Sequence, residues 1–333
     1  MSINKNKEII EEKSIDLALR PASWQEYVGQ EKVKRHLKVI IEAAKQRGEC
    51  SDHLLFYGQA GLGKTTLAYL VAKEMGANIK TTSGPALEKV GDLAAILSNM
   101  ESNEILFIDE AHRINKLIEE VLYPAMESRK LHLIIGKGPT ARTLSLDLPA
   151  FTLVAATTKV NLLSAPLRSR FGATFKLDYY EPKDIEAILK RSAELLGVKI
   201  EPAAIKILAG ASRFTPRVAN RLLKRARDYV QIKNQEFIDE EMAEKTLEFL
   251  EIDGLGLEPP DRRLLEIIIK KFGGGPVGVR ALAAALNEEA GTIEDVYEPF
   301  LMSLGFLHRS PAGRIATAAA YRHLGVENKQ ILV

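Results

Sequence analysis

A glycine-rich octapeptide constrains this chain more than any other feature of its sequence. The run Gly58-Gln59-Ala60-Gly61-Leu62-Gly63-Lys64-Thr65 fits the pattern G-x-x-x-x-G-K-[ST] without a mismatch. A strand-like run, His53–Tyr57, precedes it and an apolar helical pattern, Thr65–Met75, follows it, which is the context that the pattern requires. The glycines let backbone N–H groups converge on phosphate oxygens, and the helix N-terminus adds its positive dipole end. The sequence therefore predicts a loop that binds the phosphates of a nucleotide.

Two side chains of the loop and two acids further along predict hydrolysis. Lys64 can reach the β- and γ-phosphates, and the Thr65 hydroxyl can ligate magnesium. A buried-strand pattern, Ile105–Ile108, ends in Asp109 and Glu110. Because ligands of open α/β sheets lie beyond the carboxyl ends of the strands, we expect Asp109 to hold magnesium and Glu110 to deprotonate a water. A solvated strand end could carry the same acids, but beside an intact phosphate loop they predict hydrolysis of ATP with Mg²⁺.

Further positions could sense or stabilise the γ-phosphate. Thr157 and Thr158 end a third strand-like run, Phe151–Thr157. Thr158 is placed in the catalytic set, although either hydroxyl could instead complete strand-end hydrogen bonds. Arg170 could contribute a factor of about 10³–10⁵ if it reached the transferring phosphoryl group; a surface ion pair is the alternative. Arg217 lies in the first turn of a helix, where the dipole favours acids, so a bound anion would relieve a mismatch.

The order of strand and helix patterns predicts the fold class. Short apolar strands alternate with helices in residues 1–181, which predicts an α/β domain with a parallel sheet covered by helices. Within it, residues 131–148 form a predicted hairpin around Gly136-Lys137-Gly138-Pro139. Residues 182–255 contain helical patterns and end in a linker rich in glycine and proline, so a small all-α domain is expected. Residues 256–333 form a third domain.

The third domain is predicted to be a winged helix that binds DNA. Its helical patterns are followed by a short, turn-rich segment, residues 305–314, which resembles a two-stranded wing. Arg309 and Arg314 flank the turn of this wing, where they could contact the phosphates of a duplex. A helical protein-interaction domain is the alternative.

The composition bears on the cellular compartment of the protein and not on the reaction that it catalyses. A net charge of +2 over 333 residues neither demands nor excludes nucleic acid, so any DNA-binding surface must be local. The single cysteine, Cys50, cannot form an internal disulfide, which fits a reducing, cytoplasmic setting. The N-terminus is polar and mixed in charge, unlike a signal peptide, and no apolar run approaches the roughly 18 residues of a membrane span. No association with a membrane is expected.

Together, these motifs resemble those of the RuvB family, bacterial AAA+ motors that drive branch migration of Holliday junctions. The similarity covers about residues 16–326. The phosphate loop and the acidic pair occur in many ATPases, whereas the whole set is specific. The segments that carry the resemblance are Leu19–Pro21, Tyr27–Gln30, Gly61–Ala68, Phe107–Arg113, Ala156–Thr158, Pro166–Gly172, Thr215–Leu223, Gly305–Leu307 with Arg309 and Gly313-Arg314, and Ala320–Leu324.

The resemblance implies a homohexameric ring that pumps duplex DNA during homologous recombination and DNA repair. It implies a RuvA-like junction-binding partner on the 131–148 hairpin and a RuvC-like resolvase in a larger complex. It assigns Arg170 as a finger that reaches the ATP of the neighbouring subunit, and Arg217 as a sensor on the small helical domain. The residues that it implies in nucleotide binding, beyond Lys64 and Thr65, are Leu19, Arg20, Gly61, Gly63, Thr66, Glu127, Ser128, Arg129 and Tyr180.

The chain departs from the family pattern at three places. Gln59-Ala60 replace a commoner Pro-Pro, so the stiffness of the phosphate loop is expected to differ. Ser128 and Arg129 replace a commoner aspartate–aromatic pair beside Glu127, which alters the expected nucleotide contact. Ala312 stands where an arginine is usual, so we expect weaker DNA binding with a shallower salt dependence.

Two other functions remain open from the sequence. A clamp-loader-like or initiator-like AAA+ subunit would open or load a ring without translocating, and the absence of a C-terminal winged helix would favour it. A transcriptional regulator that uses ATP only as a switch would leave sequence-specific footprints on ordinary duplex, with negligible turnover.

Overall fold

The computed structural model describes Ile15, residues 17–135 and residues 142–327. The chain divides into two compact units. The first runs as far as Ile188 and also contains Thr215–Arg217, and the second contains the remaining described residues. Among the residues described, no helix is both long and apolar enough to cross a membrane.

The strands and helices follow one another in an alternating order in the first half of the chain. The strands are β1 Leu54–Tyr57, β2 Ile79–Ser83, β3 Ile105–Asp109, β4 Lys130–Ile135, β5 Arg142–Asp147, β6 Thr152–Thr157, β7 Ala173–Lys176, β8 Lys199–Ile200, β9 Phe237–Ile238, β10 Leu307–Ser310 and β11 Gly313–Ala316. The α-helices are α1 Glu31–Arg47, α2 Lys64–Met75, α3 Val90–Ser98, α4 Lys116–Ser128, α5 Ala165–Arg168, α6 Pro182–Leu196, α7 Pro202–Gly210, α8 Pro216–Ile232, α9 Glu240–Phe249, α10 Pro259–Phe272, α11 Val279–Leu286, α12 Ala290–Thr292, α13 Glu298–Ser303 and α14 Ala318–His323.

A five-stranded parallel sheet, in the order β2-β3-β6-β1-β7, forms the centre of the first unit. Its three inner strands, β3, β6 and β1, are almost entirely buried because helices cover a parallel sheet on both faces. These are the three strands that the sequence predicts from short apolar runs. The parallel sheet confirms the predicted α/β class.

The two edge strands of this sheet were not predicted. The sequence of β2 is Ile-Lys-Thr-Thr-Ser, and in β7 only Phe175 is buried. An edge strand is not packed between neighbours on both sides, so it can keep polar residues and lacks the continuous apolar run that marks a central strand.

The register of the sheet brings the predicted site residues to one edge. Tyr57 lies opposite Thr157, and Ile108 lies opposite Ala155. The ends of β1, β3 and β6 therefore meet at the same carboxyl edge of the sheet. The phosphate loop leaves β1 at this edge, and α2 begins at Lys64.

The predicted hairpin is present as two antiparallel arms, β4 and β5, which pair Lys130 with Asp147 at the base. Its predicted turn, Gly136-Lys137-Gly138-Pro139, lies outside the described residues. Leu131 is buried in the core of the first unit, whereas Leu144 is 41% exposed. The hairpin therefore presents an apolar side chain to solvent.

The second unit combines a helical part with a winged helix. A buried ion pair joins them: Arg213 reaches Asp261, at the start of α10, at 3.1 Å, and Asp261 is 1% exposed. The same guanidinium lies 4.1 Å from the ring centroid of Phe300. Antiparallel strands β10 and β11 follow the helices of the C-terminal part, which confirms the winged-helix prediction.

Candidate functional site

The phosphate loop has a backbone that only glycine accommodates. Gly58, Gly61 and Gly63 have φ angles of 145°, 82° and 95°. A Cβ on Gly58 would lie 2.5 Å from the carbonyl oxygen of Leu177, and a Cβ on Gly63 would lie 2.8 Å from the Tyr27 hydroxyl. The loop is therefore tightly folded, with room for backbone but not for side chains, as a phosphate cradle requires.

Lys64 is buried beneath this loop. Its ammonium donates hydrogen bonds to the carbonyl oxygens of Gly58 and Gln59, both at 2.8 Å. Burial lowers the pKa of Lys64 to about 8, while Asp109 and Glu110 act in the opposite direction. A bound polyphosphate would favour the protonated lysine and so offset the cost of burying it. The residue therefore fits the phosphate contact predicted for it.

The groups predicted to hold magnesium lie together. The Thr65 hydroxyl donates to Asp109 Oδ2 at 3.1 Å, and Asp109 Oδ1 accepts the backbone N–H of Glu110 at 2.9 Å. Hydroxyl and carboxylate oxygens are the ligands that magnesium prefers. The Glu110 carboxylate is partly exposed, on a residue in the left-handed region at φ 50°. Its position leaves it accessible to a water molecule.

Thr157 and Thr158 have different surroundings. Thr157 is fully buried, and its hydroxyl accepts the backbone N–H of Lys159 and bonds to His112 Nδ1, both at 3.0 Å. Thr158 is partly exposed at the same edge of the sheet. The Thr157 hydroxyl is thus engaged inside the protein, and the role of Thr158 at the γ-phosphate stays a prediction. His112 was not singled out from the sequence, although it follows the acidic pair by two residues.

Arg170 is held by three contacts within the chain. Its guanidinium lies 3.0 Å from Glu127 Oε1, donates to the Pro166 carbonyl at 2.7 Å, and lies 4.6 Å from the ring centroid of Tyr123. The surface ion pair considered from the sequence is therefore present. It also brings together Arg170 and Glu127, both of which were predicted to bind nucleotide.

The remaining predicted nucleotide contacts fall into two groups. In the first group, Thr66 is partly exposed, Leu19 is buried, and the Arg20 guanidinium lies 5.9 Å from the ring centroid of Tyr69 on α2. Arg217 is exposed, and its Cβ would be 3.0 Å from a Cβ on Gly61. It therefore lies against the loop.

Tyr180 contacts the loop through its hydroxyl, which donates to the Leu62 carbonyl oxygen and approaches the Tyr27 hydroxyl, both at 3.2 Å. Burial raises the pKa of Tyr180 to about 12. At the end of α4, the Ser128 hydroxyl donates to the Pro124 carbonyl at 3.0 Å, and exposed Arg129 ends the helix with φ 55°. Ser128 and Arg129 are therefore next to the Glu127–Arg170 pair.

The structure corrects the expectation for Arg314. Its side chain is 8% exposed and ion-paired with Glu298 at 2.6 Å and with Glu294 at 2.7 Å. A guanidinium that is buried and matched by two carboxylates is not placed to meet a phosphate. Arg309, opposite it on β10, is 54% exposed and lies 3.5 Å from Glu294. Of the two predicted wing arginines, Arg309 is the one that is exposed to solvent.

Comparisons with known proteins agree with this arrangement of domains. Residues 19–177 match the family model for the Holliday junction DNA helicase RuvB P-loop domain. Residues 180–253 match the RuvB AAA lid domain, and residues 254–325 match the RuvB C-terminal winged helix domain. The Holliday junction branch migration complex subunit RuvB of Dehalococcoides mccartyi is 54% identical over 320 residues, which are 96% of this chain and 92% of that protein. The chain belongs to the RuvB family.

Solved RuvB structures show the same fold. The Thermotoga maritima RuvB Holliday junction branch migration motor superposes with a TM-score of 0.85 at 49% identity, covering 93% of this chain and 99% of that one. An R170A form of the same protein superposes with a TM-score of 0.84 over the same shares of the two chains. This RuvB-family chain is therefore a P-loop ATPase of the AAA+ class with a lid and a winged helix.

Proposed function

We propose that this RuvB-family ATPase is a ring-forming motor that pumps duplex DNA to drive branch migration of Holliday junctions in recombination and repair. One observation carries the proposal: a phosphate loop, a Thr65–Asp109 contact and an accessible Glu110 share one sheet edge in a chain that ends in a winged helix. The named functions of its relatives support it. We also propose that its domains are residues 1–181, 182–255 and 256–333. The proposed setting is the cytoplasm.

Each residue of the site has its own role in the hydrolysis of ATP. Backbone amides of the loop and Lys64 would hold the phosphates of ATP, and Thr65 and Asp109 would hold Mg²⁺. When bound, Mg²⁺ supplies positive charge that offsets charge on the phosphate oxygens. Glu110 orients the attacking water and accepts its proton. Thr158 and Arg217 contact the γ-phosphate side of the nucleotide.

Assembly into a hexamer completes the site. Arg170 reaches the ATP of the neighbouring subunit, and Glu127 accompanies it because the two side chains form an ion pair. An arginine offered to a transferring phosphoryl group stabilises charge that develops in the transition state. Hydrolysis therefore depends on contact between subunits.

Duplex DNA binds the wing through Arg309. We expect Arg309→Ala to weaken binding similarly for unrelated duplex sequences and to reduce the slope of log affinity against log salt by about one, because one phosphate contact is lost. Fluorescence anisotropy at several salt concentrations measures both quantities. Lys270→Ala is the matched control, since it removes the same charge from an exposed position on α10. An effect limited to one sequence, or equal to that of the control, would remove Arg309 from phosphate binding.

Arg314 stabilises the wing and does not contact DNA. Its loss would leave the nearly buried carboxylate of Glu298 with only the Arg309 guanidinium, at 3.9 Å, in place of the Arg314 guanidinium at 2.6 Å. Breaking a buried pair on one side costs about 3–5 kcal/mol. The Arg314→Ala variant is therefore expected to lower the thermal midpoint of the chain, which Arg309→Ala is not.

The hairpin formed by β4 and β5 docks onto a RuvA-like junction-binding protein, with a RuvC-like resolvase joining a larger complex. We expect Leu144→Asp to abolish binding of the RuvA-like protein while ATP turnover without it stays unchanged. Leu144 is exposed, and its strand belongs to the two-stranded hairpin and not to the five-stranded sheet that carries Asp109. Thr143→Asp adds the same charge to the adjacent, exposed position and serves as the control. If the Leu144→Asp variant bound the RuvA-like protein as tightly as the Thr143→Asp control does, the docking site would lie elsewhere.

A synthetic mobile Holliday junction tests the motor function. With a RuvA-type protein and ATP, the chain should separate the junction into two duplexes; without ATP, or with Lys64→Ala, it should not. Steady ATP turnover without junction separation would instead favour a clamp-loader-like role.

A further inference from the structure

The short turn after the acidic pair places an imidazole between two functional elements. His112 lies in the turn Ala111–Arg113, and its side chain is 9% exposed. Its Nδ1 lies 3.0 Å from the Thr157 hydroxyl, at the end of β6. Its Nε2 lies 3.4 Å from Glu110 Oε2. One side chain thus joins the end of β6 to the carboxylate that activates water.

The surroundings of Thr157 fix which nitrogen of His112 carries the proton. The Thr157 hydroxyl oxygen already accepts the backbone N–H of Lys159 at 3.0 Å. Because Thr157 is fully buried, its own proton needs an acceptor inside the protein, and His112 Nδ1 is within reach. A neutral imidazole whose Nδ1 accepts carries its proton on Nε2, which faces Glu110.

Glu110 needs such a partner. Its side chain is 42% exposed, so it can adopt several rotamers, and its backbone is in the left-handed region at φ 50°. An N–H directed at one carboxylate oxygen limits those rotamers and leaves the other oxygen for the water. The 3.4 Å separation is longer than a formed hydrogen bond, and hydrogen bonds of catalytic groups commonly tighten in the reacting complex.

The geometry points to His112 as a positioning residue for Glu110, with Thr157 holding the imidazole in the required tautomer. The inference rests on the proposed role of Glu110 as the base. It predicts that His112 affects the rate of hydrolysis rather than the affinity for ATP. It also separates the two threonines: Thr157 acts through His112, whereas Thr158 acts on the nucleotide.

Replacement of His112 tests this assignment. We expect His112→Ala to lower kcat by about 10- to 100-fold, the range for partners that orient a functional ligand, with KM for ATP changed less than about twofold. His112→Gln, which restores an N–H donor at a similar distance, should recover part of the rate. A change in KM without a change in kcat, or no recovery with Gln, would contradict the assignment.

Thr157 provides a second, matched pair of variants. Thr157→Val keeps the shape but removes the hydroxyl, so the tautomer is no longer fixed and kcat should fall. Thr157→Ser keeps the hydroxyl and should restore kcat relative to valine. Thermal midpoints and ATP affinity of all variants are measured in parallel, so that a folding defect is recognised; if valine and serine variants turn over equally, Thr157 does not act through its hydroxyl.

The double variant decides whether His112 acts through Glu110. If it does, adding His112→Ala to Glu110→Gln should cause no further loss, because the base that His112 positions is already absent. Full additivity would overturn the inference. If Glu110→Gln itself keeps normal turnover, the proposed base role fails; if Glu110→Gln is inactive and His112→Ala is normal, only the inference about His112 fails.

Discussion

Glu110→Gln is expected to bind ATP with unchanged affinity and to hydrolyse it about 10²- to 10⁴-fold more slowly. Glutamine has the same shape but cannot accept the proton of the attacking water, and a general base contributes about this factor. The substitution also leaves the backbone N–H of Glu110 on Asp109, so the magnesium ligands are not disturbed. Initial rates of phosphate release at saturating ATP, together with calorimetric affinities, give the two quantities.

Glu120→Gln is the matched control for this variant. Glu120 is an exposed acid on α4, and its change to glutamine removes the same charge away from the site. It should turn over ATP at the rate of the unmodified chain. If Glu110→Gln also retained that rate, another group would have to serve as the base.

Arg170→Ala is expected to reduce ATP turnover by about 10³- to 10⁵-fold, the contribution of an arginine finger to phosphoryl transfer. The loss should appear in kcat, because the arginine stabilises charge that forms in the transition state. The stability of the chain should change little, since the Arg170–Glu127 pair is partly exposed and such pairs contribute about 0–1 kcal/mol. Rate measurements and thermal unfolding separate the two effects.

Mixed rings show whether Arg170 acts on a neighbouring subunit. Lys64→Ala subunits lack a working phosphate loop but carry Arg170. Arg170→Ala subunits carry a working phosphate loop but lack the arginine. If the finger works between subunits, mixing two inactive variants should restore part of the turnover. Arg168→Ala, an exposed arginine two residues away, is the control and should remain active. Complete failure of the mixtures would place Arg170 outside the neighbour's site.

The parts of the fold that the sequence predicted are those with a strong local cause. The inner strands show continuous apolar runs because the sheet buries them on both faces, and the phosphate loop requires glycines at fixed spacing. Asp109 and Thr65 could be assigned to one site because parallel strands end at a common edge, and the structure places them 3.1 Å apart.

Other features depend on contacts between segments far apart in the chain. The pairing of Arg314 with Glu294 and Glu298 cannot be read from spacing, so a basic wing residue was assigned to DNA although its charge is used inside the fold. His112 is similar: its importance lies in its contact with Thr157, 45 residues away. The edge strands β2 and β7 were missed because exposure removes the apolar signal.

In the proposed site, main-chain amides and Lys64 bind the phosphates of ATP while Thr65 and Asp109 hold the metal. Calorimetric titration of the Glu110→Gln variant with ATP, with and without Mg²⁺, tests it most directly because no hydrolysis interferes. We expect saturable binding of ATP, with a lower dissociation constant when Mg²⁺ is present. Adding Lys64→Ala should weaken it by about 10- to 100-fold, the value of one charge-assisted hydrogen bond. If ATP did not bind, or if its affinity depended on neither Mg²⁺ nor Lys64, this arrangement of the site would be wrong.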